Sequence, residues 1–376
     1  MNLFWKILII ISVGLVVFFT GFLIWAFKFH PKVEELKIVK EDSQELKVNK
    51  ADKWLGKLNS KNKFNGAVLL IKGDSILLKK TYGFSHANLK TKLTTNSSLR
   101  LASVSKQFTA TGIMLLKEKG LLSFDDAITK FLPELSYKKV TIRHLLNHTS
   151  GIPDVYMSFP EKYKEEVGNF LTNAKVVKLL GKMNPELENE PNEEYKYSNI
   201  GYVLLSSIIE RVSEKSFEEF LKIALFDKLD MKNTRVWNLL SKEETFDHKT
   251  NSFDNFLGIK TTLYPGILDG VSGDGSVFSS IDDMVIWNQF WYKNDLLSEE
   301  TMNEAFKKPK LNDGTISNYG FGWIVTDYAV WHNGSWLGAR TLIVRNTKLK
   351  NTLILLDNSS SASLNNIIKE LVKVLK

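Results

Sequence analysis

The pattern of apolar and polar positions divides the chain into unequal parts. From Ile7 to Phe27 the run "ILIIISVGLVVFFTGFLIWAF" carries no charge and is bounded by Lys6 and Lys28. A helix rising about 1.5 Å per residue over this run covers about 30 Å, the hydrocarbon thickness of a bilayer. A cleaved signal peptide would have a shorter apolar core and a small-x-small exit, whereas this run ends in bulky "IWAFKF". It predicts an uncleaved transmembrane helix over 7–27 inside a membrane anchor of residues 1–31. Lys6 flanks one end and Lys28 and Lys32 the other, so local charge does not orient it. Residues 32–50, "KVEELKIVKEDSQELKVNK", are charged and predict a linker running into a helix that continues through "KADKWLGKLNS".

Beyond the linker, "FNGAVLLIKGDSILLKKTYGF" predicts two strands joined at Gly73-Asp74. Between Ser103 and about Lys232 the periodicity is mainly helical. "FTATGIMLLKEKG" closes on Gly120 as a helix stop, and "NIGYVLLSSIIERVSEKS" repeats the helical pattern from Asn199. "WLGARTLIVRN" and "NTLILLDN" return to strand patterning across the polar turn "TKLK", and "SLNNIIKELVKVL" ends the chain as an amphipathic helix. This order predicts an α+β domain over 51–376, in which both ends of the chain share one antiparallel sheet and a helical region is inserted between them. There is no internal repeat.

Composition narrows the functional classes. Apolar residues make up 43% and charged residues 24%, as in a globular protein with a real core. The chain has no cysteine, which excludes disulfides, thiolate catalysis and cysteine-ligated zinc. The net charge of +8 comes from 50 basic and 42 acidic residues, but only Arg100, Arg143, Arg211, Arg235, Arg340 and Arg345 are arginine. The lysines are scattered among glutamates and asparagines, the pattern of a solvated surface rather than a nucleic-acid face.

Three stretches carry candidate chemistry. In "LASVSKQFTA", Ser103 and Lys106 stand three apart where a strand-like "SLRLA" gives way to a helix, a spacing that puts both side chains on one helix face. The positive end of the helix dipole and partial burial both disfavour a protonated amine, and a neutral lysine accepts the serine proton. The same helix start offers backbone N–H groups to an oxyanion. A serine cap beside a solvated lysine explains the stretch equally well, and Ser60/Lys63 and Ser136/Lys139 match the same spacing. In "YKYSNIGY", Tyr197 and Asn199 at i and i+2 point the same way: a phenol able to relay a proton and an amide able to hold a substrate carbonyl. Taken alone, turn chemistry before a helix accounts for it better. In "VWHNGSWLGAR", His332, Asn333 and Gly334 open a strand, and Gly334 permits close approach of a ligand backbone. His144 and His148 stand at i and i+4, but without an HExxH pattern or a third ligand they predict no metal site.

Together the three boxes, in this order, resemble the serine β-lactamase and penicillin-binding-protein superfamily, in particular its class C-like, DD-peptidase and esterase branch. "LLNHTSGIPD", "LDMKNT", "GDGSVFSSIDDM" and "YGFGW" add to the likeness, which covers roughly residues 50 to 376. The resemblance implies a β-lactamase/transpeptidase-like fold and an acyl-enzyme mechanism without a cofactor. Ser103 would attack a carbonyl, with Lys106 and Tyr197 sharing the proton transfer. The backbone N–H groups of Ser103 and Ser335 would hold the oxyanion, Asn199 would position the substrate, and His332 would complete the pocket wall. His332 stands where lactamases mostly carry lysine, and Asn333 replaces the common threonine, so binding of a substrate carboxylate should be weakened. The expectation is a membrane-anchored, extracytoplasmic serine hydrolase acting on a peptide or small-molecule amide or ester. The alternative is a β-lactam or cell-wall-fragment sensor that is acylated but turns over poorly.

Overall fold

The computed structural model describes residues 33–241, 245–256 and 259–376. The apolar run at 7–27 lies outside the described residues; among those described, no helix is long and apolar enough to cross a membrane.

Helix α1 (Gln44–Ser60) is capped by Ser43, whose hydroxyl accepts the Leu46 N–H. It leads into β1 (Gly66–Lys72) and β2 (Ser75–Tyr82), a hairpin that turns at Gly73 with φ +60°. The helical region contributes α2 (Lys106–Glu118), α3 (Asn173–Met183), α4 (Asn199–Ser213) and α5 (Ile281–Phe290). The chain then returns through β3 (Ile324–Val325), β4 (Val330–Trp336), β5 (Ala339–Asn346) and β6 (Asn351–Asp357) to α6 (Leu364–Leu375).

The six strands form one sheet in the order β2-β1-β6-β5-β4-β3. Adjacent strands are antiparallel, and Leu69 of β1 stands opposite Ile354 of β6. Beginning and end of the domain therefore meet in the middle of the sheet, as the sequence pattern predicts. The apolar runs of β1 and β6 do not alternate because both sheet faces are covered. Ala67, Leu69 and Ile71 face the helical region together with Ile354 and Leu356. Val68, Leu70, Leu353 and Leu355 face the layer built by α1 and α6. The spacing Leu364, Ile367, Leu371, Val374 makes a single apolar stripe on α6 for that purpose.

Residues 33–43, within the segment 32–50 read as a linker, pack against the domain. Leu36 is buried, its N–H donates to Glu370 Oε2 at 2.8 Å, and the Trp54 indole N–H donates to the Glu34 main-chain oxygen at 2.8 Å. Val33, Leu36 and Ile38 pack onto the α1/α6 layer, so apolar contacts hold the lead-in against the domain despite its charge.

Candidate active site

A second, three-stranded sheet sets up the site. Leu99–Arg100 pairs with Val277–Ser279, which also pairs with Arg235–Val236. From Leu99–Arg100 the chain enters a tight 3-10 turn, Ala102–Ser105, before α2 begins at Lys106. Ala102 holds φ +48°, a left-handed conformation that non-glycine residues seldom adopt. Three hydrogen bonds hold the turn from two sides. Leu101 N–H donates to Val277 O at 2.8 Å, the Thr341 hydroxyl of β5 donates to Leu101 O at 2.7 Å, and Val277 N–H donates to the Ser105 hydroxyl at 3.0 Å. Ser105 and Lys106 are fully buried, while Ser103 is half-buried and lines a cleft of about 200 Å³ with Asn199, Asp274 and Ser335.

Lys106 Nζ lies 3.4 Å from Ser103 Oγ, 2.9 Å from Asn199 Oδ1 and 2.9 Å from the main-chain oxygen of Asp274. It also sits 5.0 Å from the ring centroid of Tyr197. The two competing Ser-x-x-Lys matches look different. Ser60 and Ser136 are exposed, with Ser60 bonded to the Lys57 carbonyl and Ser136 to Asn184.

Asn199 is the first residue of α4, and Asp154 caps that helix from a distant loop. The Asp154 carboxylate accepts the N–H groups of Asn199 at 3.1 Å and Ile200 at 2.9 Å, and it lies 3.4 Å from Asn199 Nδ2. Burial pushes the Asp154 carboxyl up in spite of those N–H groups.

His148 fixes the preceding residues. Its Nδ1 accepts the Ser198 N–H at 3.2 Å, and its ring packs against Tyr197, Tyr202 and Tyr319 at 4.3, 5.1 and 4.4 Å between centroids. Tyr197 remains 37% exposed, and its hydroxyl has no hydrogen-bond partner among the described residues.

The third box runs along β4. His332 Nδ1 lies 2.6 Å from the Asn333 carbonyl, an acceptor, so Nδ1 carries the proton. Nε2 then accepts from the Tyr319 hydroxyl at 2.8 Å. Burial and the nearby Lys106 charge push His332 down to about 3, and the same causes push His148 well below its usual range, so both imidazoles are neutral at pH 7. His332 is only 2% exposed and backs Tyr197 at 6.2 Å between centroids instead of lining the cleft.

Gly334 admits close approach, but of the protein's own turn. A Cβ there would stand 2.4 Å from Thr341 Oγ1, 2.5 Å from Leu101 O and 2.9 Å from Ser103 N. Ser335 lines the cleft, and its hydroxyl accepts from Arg340 Nη1 at 2.6 Å.

Ser103, Lys106, Tyr197, Asn199, His332, Gly334 and Ser335 are thus gathered around one cleft and its backing wall. Sequence reasoning left out Asp154, His148, Asp274 and Tyr319, although each lies in one of the stretches that carried the resemblance. His144 serves only its own short helix, where its Nδ1 accepts the Thr141 N–H at 3.1 Å.

A family model described as Beta-lactamase matches residues 51–369. The chain is 38% identical over 317 residues to Penicillin-binding protein 4* of Bacillus subtilis (strain 168), covering 80% of this chain and 69% of that protein. It is 25% identical to Protein flp of Staphylococcus aureus (strain MW2), covering 81% of this chain and 61% of that protein, less than two thirds of its length. Among solved structures, the octameric penicillin-binding protein homologue from Pyrococcus abyssi superposes with a TM-score of 0.73 at 26% identity, covering 87% of this chain and 77% of that one.

Proposed function

Because the chain belongs to the beta-lactamase family of serine hydrolases, we propose that it is a membrane-anchored member that forms an acyl-enzyme on Ser103 and hydrolyses an amide or ester, in the manner of a DD-carboxypeptidase or esterase. The observation that carries this reading is the setting of Lys106. Asn199 Oδ1 and Asp274 O, both at 2.9 Å, fix its Nζ, and its third direction points at the Ser103 hydroxyl at 3.4 Å. An amine held in this way is placed to exchange a proton with the serine hydroxyl.

Ser103 Oγ attacks the substrate carbonyl as its proton passes to Lys106. The backbone N–H groups of Ser103 and Ser335 hold the developing oxyanion. Tyr197, whose free hydroxyl is the exposed phenol nearest Lys106, relays the proton to the departing amine or alcohol. Asn199 positions the substrate while its Oδ1 steers the lysine. Water then attacks the ester on Ser103, with the same bases removing its proton, and releases the acid. His332, neutral and bonded to Tyr319, supports Tyr197 through packing and brings no charge to the substrate. The uncharged run at 7–27 supports the single-pass anchor, and the likeness to a penicillin-binding protein supports a catalytic domain outside the cytoplasm.

The test is mass spectrometry of the full chain in detergent after mixing with a penicillin, a D-Ala-D-Ala peptide and a short-chain activated ester. An acyl adduct on Ser103, absent in Ser103→Ala, is expected, with release over minutes or faster. A persistent adduct identifies the sensor alternative instead, and turnover that survives Ser103→Ala overturns the mechanism.

A further inference from the structure

Resting on the reading that Ser103 is acylated, we infer that Asp274 anchors a protonated amine on the acyl part of the substrate, so that aminoacyl amides and esters are preferred over uncharged ones. Asp274 lies between Gly273 and Gly275 and lines the same cleft as Ser103 and Asn199. It is fixed at both ends. Its main-chain oxygen takes an N–H from Lys106 at 2.9 Å, and its Oδ2 accepts the hydroxyl of buried Tyr156 at 2.8 Å. Oδ1 has no hydrogen-bond partner among the described residues, and the residue is half-buried rather than sealed.

The other charged groups around the cleft already hold partners, although the Arg100 charge also reaches Asp274. Arg100 Nη1 is bonded to Asp269 Oδ1 at 2.9 Å, and that same oxygen accepts the Trp336 indole N–H at 2.9 Å. Gly266 N–H donates to the other oxygen of Asp269 at 2.8 Å. Asp154 is engaged by the first two N–H groups of α4. Lys106 is held by Asn199 and the Asp274 carbonyl. Arg340 is drawn to Ser335 Oγ and is not among the residues lining the cleft. Of the carboxylates Asp154, Asp269 and Asp274 around the cleft, only Asp274 presents an oxygen without a hydrogen-bond partner among the described residues. A carboxylate already locked in one rotamer by a tyrosine loses little freedom when it takes up an ammonium group.

The probes are p-nitroanilides of three acyl types, assayed on the full chain at pH 7: alanyl in each hand, the propionyl analogue of like size, and N-acetylalanyl with its amine blocked. The α-amine of the first is mainly protonated there. One alanyl form is expected to exceed propionyl in kcat/KM by at least about tenfold, the scale of a hydrogen bond to a charged group, with the difference in KM. In Asp274→Asn, whose amide oxygen still accepts from Tyr156, that ratio is expected to fall towards unity. A purely structural role for Asp274 would leave the ratio within each enzyme unchanged. Equal rates in the wild type, or a ratio that survives Asp274→Asn, overturns the inference.

Direct binding of alaninamide against propionamide to the wild-type chain reads the subsite without hydrolysis and without a variant that must fold. Preferential binding of alaninamide with no acylation of Ser103 removes the hydrolase reading alone. Serine-dependent hydrolysis of all the probes at like rates, with both amides bound equally, removes the amine anchor alone.

Discussion

Gly334→Ala isolates the placement of the nucleophile from the rest of the fold. Gly334 is not among the residues with left-handed φ, so alanine suits its backbone and the perturbation is steric. The added methyl would stand 2.5 Å from Leu101 O and 2.9 Å from Ser103 N. Ordinary contact begins near 3.4 Å, so the turn must retreat by about half an ångström to one ångström, or β4 must bow away from it. Neither neighbour is a flexible side-chain end, and the third, Thr341 Oγ1 at 2.4 Å, is the hydroxyl that anchors Leu101. Overpacking of this kind costs about 1–3 kcal/mol of stability. A displacement of about 1 Å at the reacting atom costs about a hundredfold in rate. The expected signature is a melting temperature lowered by a few degrees with kcat/KM for an activated ester down by about two orders of magnitude. The assay pairs a thermal melt with ester hydrolysis on the same preparation, and Gly338→Ala, at a φ of +79° where alanine adds backbone strain to steric contact, serves as a destabilising control outside the cleft. Activity within threefold of wild type in Gly334→Ala would falsify the claim that β4 sets the position of Ser103.

Lys106→Met, which removes the amine while keeping the bulk of the chain, is expected to lower ester hydrolysis by about 10² to 10⁴, the usual range for a lost proton-transfer group; retained activity would transfer the role to Tyr197. Asp154→Ala removes the acceptor for two N–H groups of α4 and frees Asn199; a loss of about 1–2 kcal/mol in urea unfolding is expected together with a fall in kcat, and an unchanged kcat would show that Asn199 holds Lys106 unaided. His332, depressed to about 3 in the fold, binds fewer protons when folded than when unfolded between pH 3 and 6.5. Its contribution to stability is therefore complete above pH 6.5 and is lost as pH falls, by about 1.4 kcal/mol per unit. His332→Gln should flatten the pH dependence of the urea midpoint between 6 and 4, and an equally steep profile would place the acid sensitivity elsewhere, first at His148.

Much of the architecture was legible because it rests on local rules. The hairpin at Gly73, the start of α4 at Asn199 and the amphipathic stripe of α6 each follow from turn chemistry or periodicity within a dozen residues. That β1 and β6 share one sheet could be anticipated from the order of elements, with strands at both ends around a helical block; their direct pairing could not. The lead-in at 33–43 misled because its charge dominates its composition, while Val33, Leu36 and Ile38 decide its packing. Charge on the outer face of a segment says nothing about the three apolar positions that face inward.

The site was legible in its boxes and not in their supports, for a physical reason. Ser103, Lys106, Tyr197 and Asn199 are constrained by the reaction, which demands particular functional groups at fixed spacing on one turn. Their supports are constrained only by the hydrogen bond each must supply. The Asp274 carbonyl holds Lys106, yet any residue has a carbonyl, so no side chain advertises that role. His148 accepts a backbone N–H fifty residues away, and Asp154 caps a helix forty-five residues away, so neither leaves a periodic trace. What makes these contacts hold is the continuity of the sheet. β4 lies beside the turn, β5 joins it to β6, and β6 pairs with β1 from the other end of the domain. The turn at Ala102 is strained, and it is kept in place by groups from β5 and the small sheet. The reactive geometry is therefore a product of closure of the whole sheet, and mutations that loosen the β1–β6 seam should lower activity before they unfold the helical region.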